Sequence, residues 1–266
     1  MNLLLVEPTE LAGDGTCTLR DRRAVHLRGV LGATVGSQVR AGVIGGGVGH
    51  AELLADDGAA ITLRLALTDP PPAPLPIELV LAIPRPKVLS RVLEAAAAFG
   101  VARIELTNAW RVDKSYLSSP RLEPDALALA VRLGAEQGAT THLPPVAIHR
   151  RLMALLDARW PGPRGPGREE PLLARTGGDQ PDAAATRLIA HPGAPPIEAA
   201  LAGTGPISLA IGPEGGWIAR EVETFVARGF TPVSLGAPIL RVESAVSAAL
   251  GQLLVLRRLA ASRIPI

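Results

Sequence analysis

Two consecutive patterns of strand, glycine-rich loop and helix near the carboxyl end constrain the fold of this chain most. The apolar run 207–211 is long enough for a buried strand, and the glycines and proline of 212–216 end it abruptly. Residues 218–228 carry apolar side chains at helical spacing, and Gly229 follows, where a glycine can close a helix in the left-handed conformation. The pattern predicts one complete unit of strand and helix.

The second unit follows directly along the chain. Residues 230–235 have the pattern of a strand, 236–238 that of a turn, and 242–259 that of a long helix rich in alanine and leucine. Consecutive units of this kind predict an α/β fold with neighbouring parallel strands. Ligands of such sheets bind at the carboxyl ends of the strands. We therefore expect both glycine loops to border one ligand site.

The loop 212–216 limits the kind of ligand that this site can hold. Glycine lets a backbone approach a ligand closely, but the loop lacks the Lys-Ser/Thr pair of a P-loop and does not fit the G-x-G-x-x-G pattern. The Glu214 carboxylate would also repel a pyrophosphate. A ligand with an adenine edge and a positive centre fits better, with ordinary tight turns as the alternative. A nucleotide-binding oxidoreductase is disfavoured because no dinucleotide fingerprint is found.

The composition is that of a folded protein with an aliphatic core. Of the 266 residues, 47% are hydrophobic and only 3% are aromatic. Cys17 is the single cysteine, which excludes an internal disulfide, and the five histidines show no metal-ligand spacing. The apolar run after Met1 is too short for a signal or membrane segment, and we expect no later run to span a bilayer. We predict a cytoplasmic protein without a metal or a membrane partner.

A proline-rich stretch divides the chain. Residues 68–76 form a stiff, extended linker, so we place the boundary there, with domains 1–70 and 71–266. The first domain is predicted to be rich in strands, with candidates at 37–44 and 59–67. The glycine run between these candidates is predicted to be a turn; a phosphate loop is the weaker alternative because no helix follows it.

The second domain begins with a strand, a helix and a strand, at 77–83, 87–99 and 101–106. This βαβ unit implies a parallel sheet. The remaining predicted elements are a helix at 124–137, a strand or extended loop at 142–148, a surface loop at 160–182 and a strand at 187–190.

Basic residues cluster in the first domain. The cluster consists of Arg20, Arg22, Arg23, Arg28 and Arg40, with only Asp21 opposing it. Such a cluster predicts an RNA-facing patch, and a solvated loop face is the alternative. The formal net charge of +2 is not that of a bulk nucleic-acid binder.

Three short motifs carry a resemblance to a known family. The segment Ile211-Gly-Pro-Glu-Gly-Gly216 is followed by Leu235-Gly236 and by Ile239-Leu-Arg-Val-Glu-Ser-Ala245. This combination resembles the signature of the SPOUT-class RNA methyltransferases, and most closely that of the RsmE family. Ser244 stands where family members have a threonine, and it keeps the hydroxyl.

The resemblance implies methylation, with S-adenosylmethionine as cofactor, of N3 of one uridine in 16S ribosomal RNA. The implied partner is ribosomal RNA or the small ribosomal subunit. The implied fold is a carboxy-terminal SPOUT α/β domain with a trefoil knot and a mainly parallel sheet, plus a small amino-terminal PUA-like β-barrel domain for RNA binding. A homodimer is expected to complete the cofactor pocket.

A divergent member that methylates another RNA, or only binds RNA, is the alternative. This chain departs from the family at positions that are usually polar or basic, which here are Gly32, Ala95, Ala98, Thr140 and Pro238. Each lost phosphate contact would weaken RNA affinity and lower its salt dependence.

The resemblance also implies which residues form the site, in loops near 190–192, 211–217 and 235–245. The implied cofactor-binding residues are His191, Ile211, Gly212, Pro213, Glu214, Gly215, Gly216, Leu235, Gly236, Ile239 and Leu240. The candidate RNA-binding residues are Arg22, Arg23, Arg28 and Arg111.

Two residues are the implied catalytic groups. Arg241 is expected to stabilise the N3 anion or to hold a phosphate. Glu243 is the candidate base, the partner of Arg241, or a carboxylate that stabilises the helix dipole.

Three neighbouring residues have two interpretations each. Glu214 faces a sulfonium or caps the next helix, Ser244 bonds a ligand or caps the last helix, and Trp217 borders the pocket or belongs to the core.

Overall fold

The computed structural model describes residues 1–161, 185–201 and 203–262 and divides the chain into two compact units. Unit 1 contains Met1–Leu75, Ala97–Gly100 and Ala128–Pro144. Unit 2 contains Pro76–Ala96, Val101–Leu127 and the described residues after Pro144. The boundary expected at residue 70 lies close to the end of the first segment, but the two later segments of unit 1 differ from the expected division. The expected surface loop at 160–182 lies, from residue 162 on, outside the described residues.

Unit 1 is built on a five-stranded sheet in the order β1-β3-β4-β5-β2. Its elements are β1 (Leu4–Val6), β2 (Thr16–Leu19), helix α1 (Arg22–Gly29), β3 (Gln38–Val43), β4 (Val48–Asp56) and β5 (Ile61–Asp69). Strand β1 pairs in parallel with β3, and the other pairs are antiparallel. The two predicted strands correspond to β3 and β5, and a turn follows β3 as predicted.

One apolar core joins all five strands of this sheet to α1. Leu4 of β1, Cys17 of β2 and Leu27 of α1 belong to it together with residues of the three central strands. The helix α1 was not predicted. Its start does have a sequence signal, because Asp21 is the N-cap and accepts a hydrogen bond from the Arg23 N–H at 2.9 Å.

Unit 2 contains a six-stranded sheet in the order β11-β9-β10-β6-β7-β8. The strands are β6 (Leu75–Ala82), β7 (Val101–Thr107), β8 (Val146–His149), β9 (Thr186–Ala190), β10 (Ile207–Ile211) and β11 (Thr231–Val233). The neighbours β11, β9, β10 and β6 pair in parallel, as do β7 and β8. All five residues of β10 are buried, as expected of an inner strand covered on both faces.

The helices along the rest of the chain are α2 (Pro86–Ala98), α3 (Pro124–Gly138), α4 (Leu152–Arg159), α5 (Ala219–Val226) and α6 (Val242–Ser262). All but α4 were predicted. Gly229 ends the turn after α5 with φ +81°, as the sequence indicated. The predicted βαβ unit corresponds to β6, α2 and β7.

Helix α6 is apolar on more than one side. Its buried residues recur every three or four positions and form one stripe, which is Val242, Val246, Ala249, Leu250 and Leu253. Among the described helices it is long and apolar enough to cross a membrane by length and composition, with mean hydropathy 1.2, although we expected no such run. Only 22% of this apolar stretch of α6 is buried, and Val255 and Leu259 are exposed. The buried stripe shows that one side of α6 packs within unit 2.

Candidate functional site

Three loops of unit 2 meet at one edge of its sheet. They follow β9, β10 and β11, which are neighbours in the sheet and run parallel, so their carboxyl ends share an edge. Backbone hydrogen bonds tie the first loop to the third. The His191 N–H donates to the Val233 carbonyl at 2.9 Å, and the Ser234 N–H donates to the Pro195 carbonyl at 2.7 Å. The two glycine loops predicted from the sequence, which follow β10 and β11, therefore lie at one edge of the sheet, but their strands are not adjacent as predicted, because β9 lies between them.

Each of these loops has a glycine whose backbone borders open space. Gly193, Gly216 and Gly236 have φ of +80°, +69° and +130°, a region that favours glycine. A Cβ atom added to Gly193 or Gly216 would meet no atom within 4 Å, and one at Gly236 would meet only the Pro238 Cδ at 3.8 Å. Backbone groups there can approach a ligand closely.

The loop after β10 is folded tightly upon itself. The Gly216 N–H donates to the Pro213 carbonyl at 2.7 Å. A Cβ at Gly212 would lie 3.1 Å from the Trp217 nitrogen, so a side chain there would push against the loop's own backbone. Trp217 is 4% exposed and packs on Phe225 with ring centroids 5.1 Å apart. Trp217 therefore belongs to the core and anchors the end of the loop.

Glu214 does not cap the next helix. Its Oε1 accepts a hydrogen bond from the Arg85 N–H at 2.9 Å, which joins this loop to the one after β6. Glu221 instead caps α5, since its carboxylate accepts from the Ile218 N–H at 3.0 Å and from the Trp110 N–H at 2.8 Å. Sequence reasoning missed Glu221, because Ile218 at the N-cap hides the usual capping pattern.

Arg111 lies across the same loop. Its guanidinium donates to the Gly215 carbonyl, and a Cβ at Gly215 would fall 2.9 Å from the Arg111 Cδ. The arginine proposed as an RNA contact thus lies beside the proposed cofactor loop, with its side chain exposed.

The third loop leads into α6. The Leu235 carbonyl accepts a hydrogen bond from Gln252 Nε2 at 2.9 Å, which fixes the loop on the helix that follows. Ile239 is 87% exposed, a large apolar side chain with no cover from the described residues of its own chain. Sequence reasoning missed Gln252, which carries no local motif.

The two candidate catalytic residues lie at the amino end of α6. Arg241 is exposed, and its side chain makes no hydrogen bond or ion pair with the described residues. The Ala245 N–H donates to the Arg241 carbonyl at 2.7 Å, which starts the helix. Glu243 is half-buried in the first turn, where a carboxylate stabilises the helix dipole. Because α6 begins at Val242, Ser244 lies within the first turn and is not the N-cap.

The three candidate RNA-binding arginines of unit 1 all pair with carboxylates. Arg22 binds Glu136 through two hydrogen bonds of 2.9 and 2.6 Å, and Arg28 binds Asp56 at 2.6 Å. The Arg22 side chain remains 38% exposed and that of Arg28 26%.

Arg23 is a buried structural residue, which corrects its assignment to an RNA-facing surface. Its side chain is 4% exposed and bonds Glu10, Asp21 and the Leu5 carbonyl. Burial acts to lower the pKa of Arg23, but the hydrogen bonds to Glu10 and Asp21 outweigh burial and raise it. The sequence could not show this, because α1 was not recognised and Glu10 precedes it.

A cluster of charged and polar side chains in unit 2 joins strands β6, β7 and β8 to helix α4. Arg159 Nη2 binds Glu78 of β6 at 2.8 Å, and His149 Nε2 lies 2.6 Å from Glu105 Oε2 of β7. Burial raises the pKa of Glu78, and Arg159 opposes that shift. Over the described ranges, no group of three or more His, Cys, Asp or Glu side chains is placed to hold a metal ion.

Comparison with known proteins agrees with this geometry. Residues 71–254 match the family model of the RNA methyltransferase domain. Ribosomal RNA small subunit methyltransferase E of Treponema pallidum is 29% identical over 251 residues, covering 94% of this chain and 89% of that protein. The protein of the same name from Synechocystis is 27% identical over 257 residues, covering 94% of this chain and 76% of that protein.

A solved structure has the same fold. The ribosomal RNA small subunit methyltransferase E of Neisseria gonorrhoeae, crystallised with S-adenosylmethionine, superimposes with a TM-score of 0.74 at 23% identity. The match covers 97% of this chain and 98% of that one. The matched family model spans well over half of the chain and includes all three glycine loops. The chain therefore belongs to the RNA methyltransferase family, within its RsmE group.

Proposed function

We propose that this protein is an S-adenosylmethionine-dependent methyltransferase that acts on N3 of a uridine in 16S ribosomal RNA. The observation that carries the proposal is the set of three open glycine loops on neighbouring parallel strands, in a chain of this family. The names of the relatives support ribosomal RNA as the substrate.

The three loops offer backbone groups and one apolar side chain for binding the cofactor. Backbone groups around Gly193, Gly216 and Gly236 would hold the adenine and ribose, and Ile239 offers an apolar surface for the adenine ring. When bound, S-adenosylmethionine supplies an electrophilic methyl group. The chain itself must position the uridine and manage the charge and the proton at N3.

Arg241 and Glu243 can manage that charge and proton. A guanidinium is always charged, and that of Arg241 is free of partners among the described residues, so it can stabilise a developing uracil anion or hold a phosphate. Glu243 lies two positions further along and is our candidate acceptor for the N3 proton.

Several further features are part of the same proposal. Unit 1, with its curled sheet around α1, would be the PUA-like RNA-binding module, with Arg22 and Arg28 on its surface. Unit 2 would have the trefoil knot of SPOUT proteins, and two copies would form a homodimer. With ribosomal RNA as its substrate, the enzyme would act in the cytoplasm.

Transfer of labelled methyl groups tests the reaction. Purified protein is incubated with methyl-tritiated S-adenosylmethionine and either 16S ribosomal RNA or small subunits, and the modified base is mapped by reverse-transcription stops, since N3 methylation blocks base pairing. We expect one modified uridine. Label on another base or on a ribose would establish the divergent alternative, and no label with either substrate would contradict the proposed reaction.

Variants assign the roles of the residues. Arg241→Ala should lower methyl transfer by about a hundredfold or more, the usual loss when an oxyanion-type donor is removed, and should leave cofactor binding intact. Arg91→Ala, which removes an exposed arginine from α2, is the control and should stay active. Full activity of Arg241→Ala would remove Arg241 from the mechanism.

A further inference from the structure

Trp110 differs from the other tryptophans of this chain. It is 79% exposed, whereas Trp160 and Trp217 are 1% and 4% exposed. An indole has a large flat face that packs well on other rings, and its cost in conformational freedom on binding is low. The question is what covers this ring when the protein works.

The turn that carries Trp110 is anchored at both ends. The Val112 N–H donates to the Ala109 carbonyl at 3.1 Å, and both of these residues are only 7% exposed. The two residues between them, Trp110 and Arg111, are exposed. The turn therefore buries its ends and presents an aromatic ring and a guanidinium together.

This turn is also joined to the loop after β10. The Trp110 N–H donates to Glu221 Oε1 at 2.8 Å, while Glu221 Oε2 accepts from the Ile218 N–H at the start of α5. Arg111 donates to the Gly215 carbonyl. The backbone of Trp110 is thus held beside the proposed cofactor loop by contacts that do not use the ring itself. Such preorganisation lowers the entropy lost on binding.

The charges around the turn suit a polyanion. Arg85, Lys87, Lys114 and Arg220 lie in the segments joined to it or next to it, and all four side chains are exposed. Two carboxylates of these segments are bound by backbone groups, since Glu221 accepts from the Trp110 N–H and Asp113 accepts from the Ser115 N–H at 2.9 Å. The exposed charge around the turn is therefore mainly positive.

We propose that Trp110 is a stacking platform for one base of the substrate RNA beside the methyl-transfer site, with Arg111 and its basic neighbours on the flanking phosphates. Aromatic faces accept any base, and proteins that bind single-stranded RNA recognise unstacked bases in this way. This inference rests on the proposed function, because it takes RNA as the substrate. It concerns a positioning contact and assigns no chemical step to Trp110.

The test measures RNA affinity apart from chemistry. Because Trp110 is the single exposed tryptophan, binding of 16S ribosomal RNA or of a short oligouridylate should quench its fluorescence. Trp110→Ala should bind RNA about tenfold more weakly and raise KM for RNA, with kcat near that of the wild type. Trp110→Phe should recover most of the affinity because it keeps an aromatic face.

Two controls show whether a loss of RNA affinity is specific to the Trp110 ring. Met153→Ala removes another exposed apolar side chain of unit 2, on α4, and should leave RNA affinity unchanged. S-adenosylmethionine affinity should be equal in all variants, which shows that they fold. Unchanged RNA affinity of Trp110→Ala would overturn the inference, as would a shift of that variant from dimer to monomer, since a second copy would then cover the ring.

The outcomes also distinguish the inference from the proposed function. If the wild type methylates RNA and Trp110→Ala binds RNA equally well, only the stacking role fails. If the wild type binds RNA through Trp110 but transfers no methyl group, the stacking role stands and the proposed reaction fails.

Discussion

Arg23 shows what a single buried charge does in this chain. Its guanidinium bonds two carboxylates and one carbonyl, and it holds α1 to the segment before β2 and to β1. Removing it leaves the Leu5 carbonyl without this donor in the interior and leaves Glu10 without its ion pair. The residue therefore contributes to stability and not to ligand contact.

We predict that Arg23→Ala lowers the free energy of unfolding by roughly 2–3 kcal/mol, less than for a fully buried pair because Glu10 and Asp21 are partly exposed. Urea unfolding followed by circular dichroism measures this. Arg20→Ala, which removes an exposed arginine, should change stability by less than about 0.5 kcal/mol. Equal stability of Arg23→Ala and the wild type would contradict the structural role.

At this scale the sequence predicts what is local and misses what is distant. The glycine loops could be predicted, because the strand and helix patterns directly before and after them require a tight turn. Glu221 and Gln252 could not, because their partners Trp110 and Leu235 lie 111 and 17 residues away. The burial of Arg23 likewise depends on a helix whose arginine-rich sequence hides its apolar side.

The secondary-structure elements follow the sequence closely where a periodic pattern is strong. Strand β10 spans Ile207–Ile211 as predicted, and α6 begins at Val242 as predicted. The short elements β2 and α4 were missed, since four residues give too little periodicity in a strand and the apolar residues of α4 are not confined to one side. The nine-residue strand β4 (Val48–Asp56) was missed as well, and the predicted turn overlaps its first two residues.

The loop after β10 gives a prediction at the scale of elements. Alanine at Gly215 would place a Cβ 2.9 Å from the Arg111 Cδ, so Arg111 must leave the Gly215 carbonyl and the loop must shift. We expect S-adenosylmethionine to bind about tenfold more weakly to Gly215→Ala, or about 1.4 kcal/mol, as measured by calorimetry.

Gly13→Ala is the matched control, because a Cβ there meets no atom within 4 Å and φ is not positive. This variant should bind the cofactor like the wild type. Normal affinity of Gly215→Ala would show that the loop after β10 faces another ligand, or none.

The whole molecule exposes apolar surface that a second copy can cover. On α6, Val255 and Leu259 are 44% and 50% exposed. A helix with a second apolar side in a folded protein is typical of an interface. We interpret this surface as the contact between two copies of the chain.

Sedimentation equilibrium tests that interpretation. We expect a particle of twice the 27.6 kDa chain mass, and Leu259→Asp should shift it toward the monomer because a charge would be buried at the contact. Val25→Asp, at another exposed valine in unit 1, should remain dimeric. A monomeric wild type would contradict the homodimer.

The order of the sheet and the extent of the units show the limits of sequence at this scale. A parallel sheet follows from the βαβ pattern, but the order β11-β9-β10-β6-β7-β8 depends on contacts across the whole domain. The inclusion of 97–100 and 128–144 in unit 1 has no sequence signal either, because α2 and α3 are continuous helices.

Cofactor binding is the direct test of the three glycine loops as the methyl-donor site. Isothermal calorimetry of the wild-type protein with S-adenosylmethionine, with NAD as the comparison, reports on the three loops without requiring an RNA substrate. We predict that S-adenosylmethionine binds in the micromolar range, with a binding free energy of about −8 kcal/mol, and that NAD does not bind. Absence of S-adenosylmethionine binding, both alone and with 16S ribosomal RNA present, would contradict the assignment of these loops as the cofactor site.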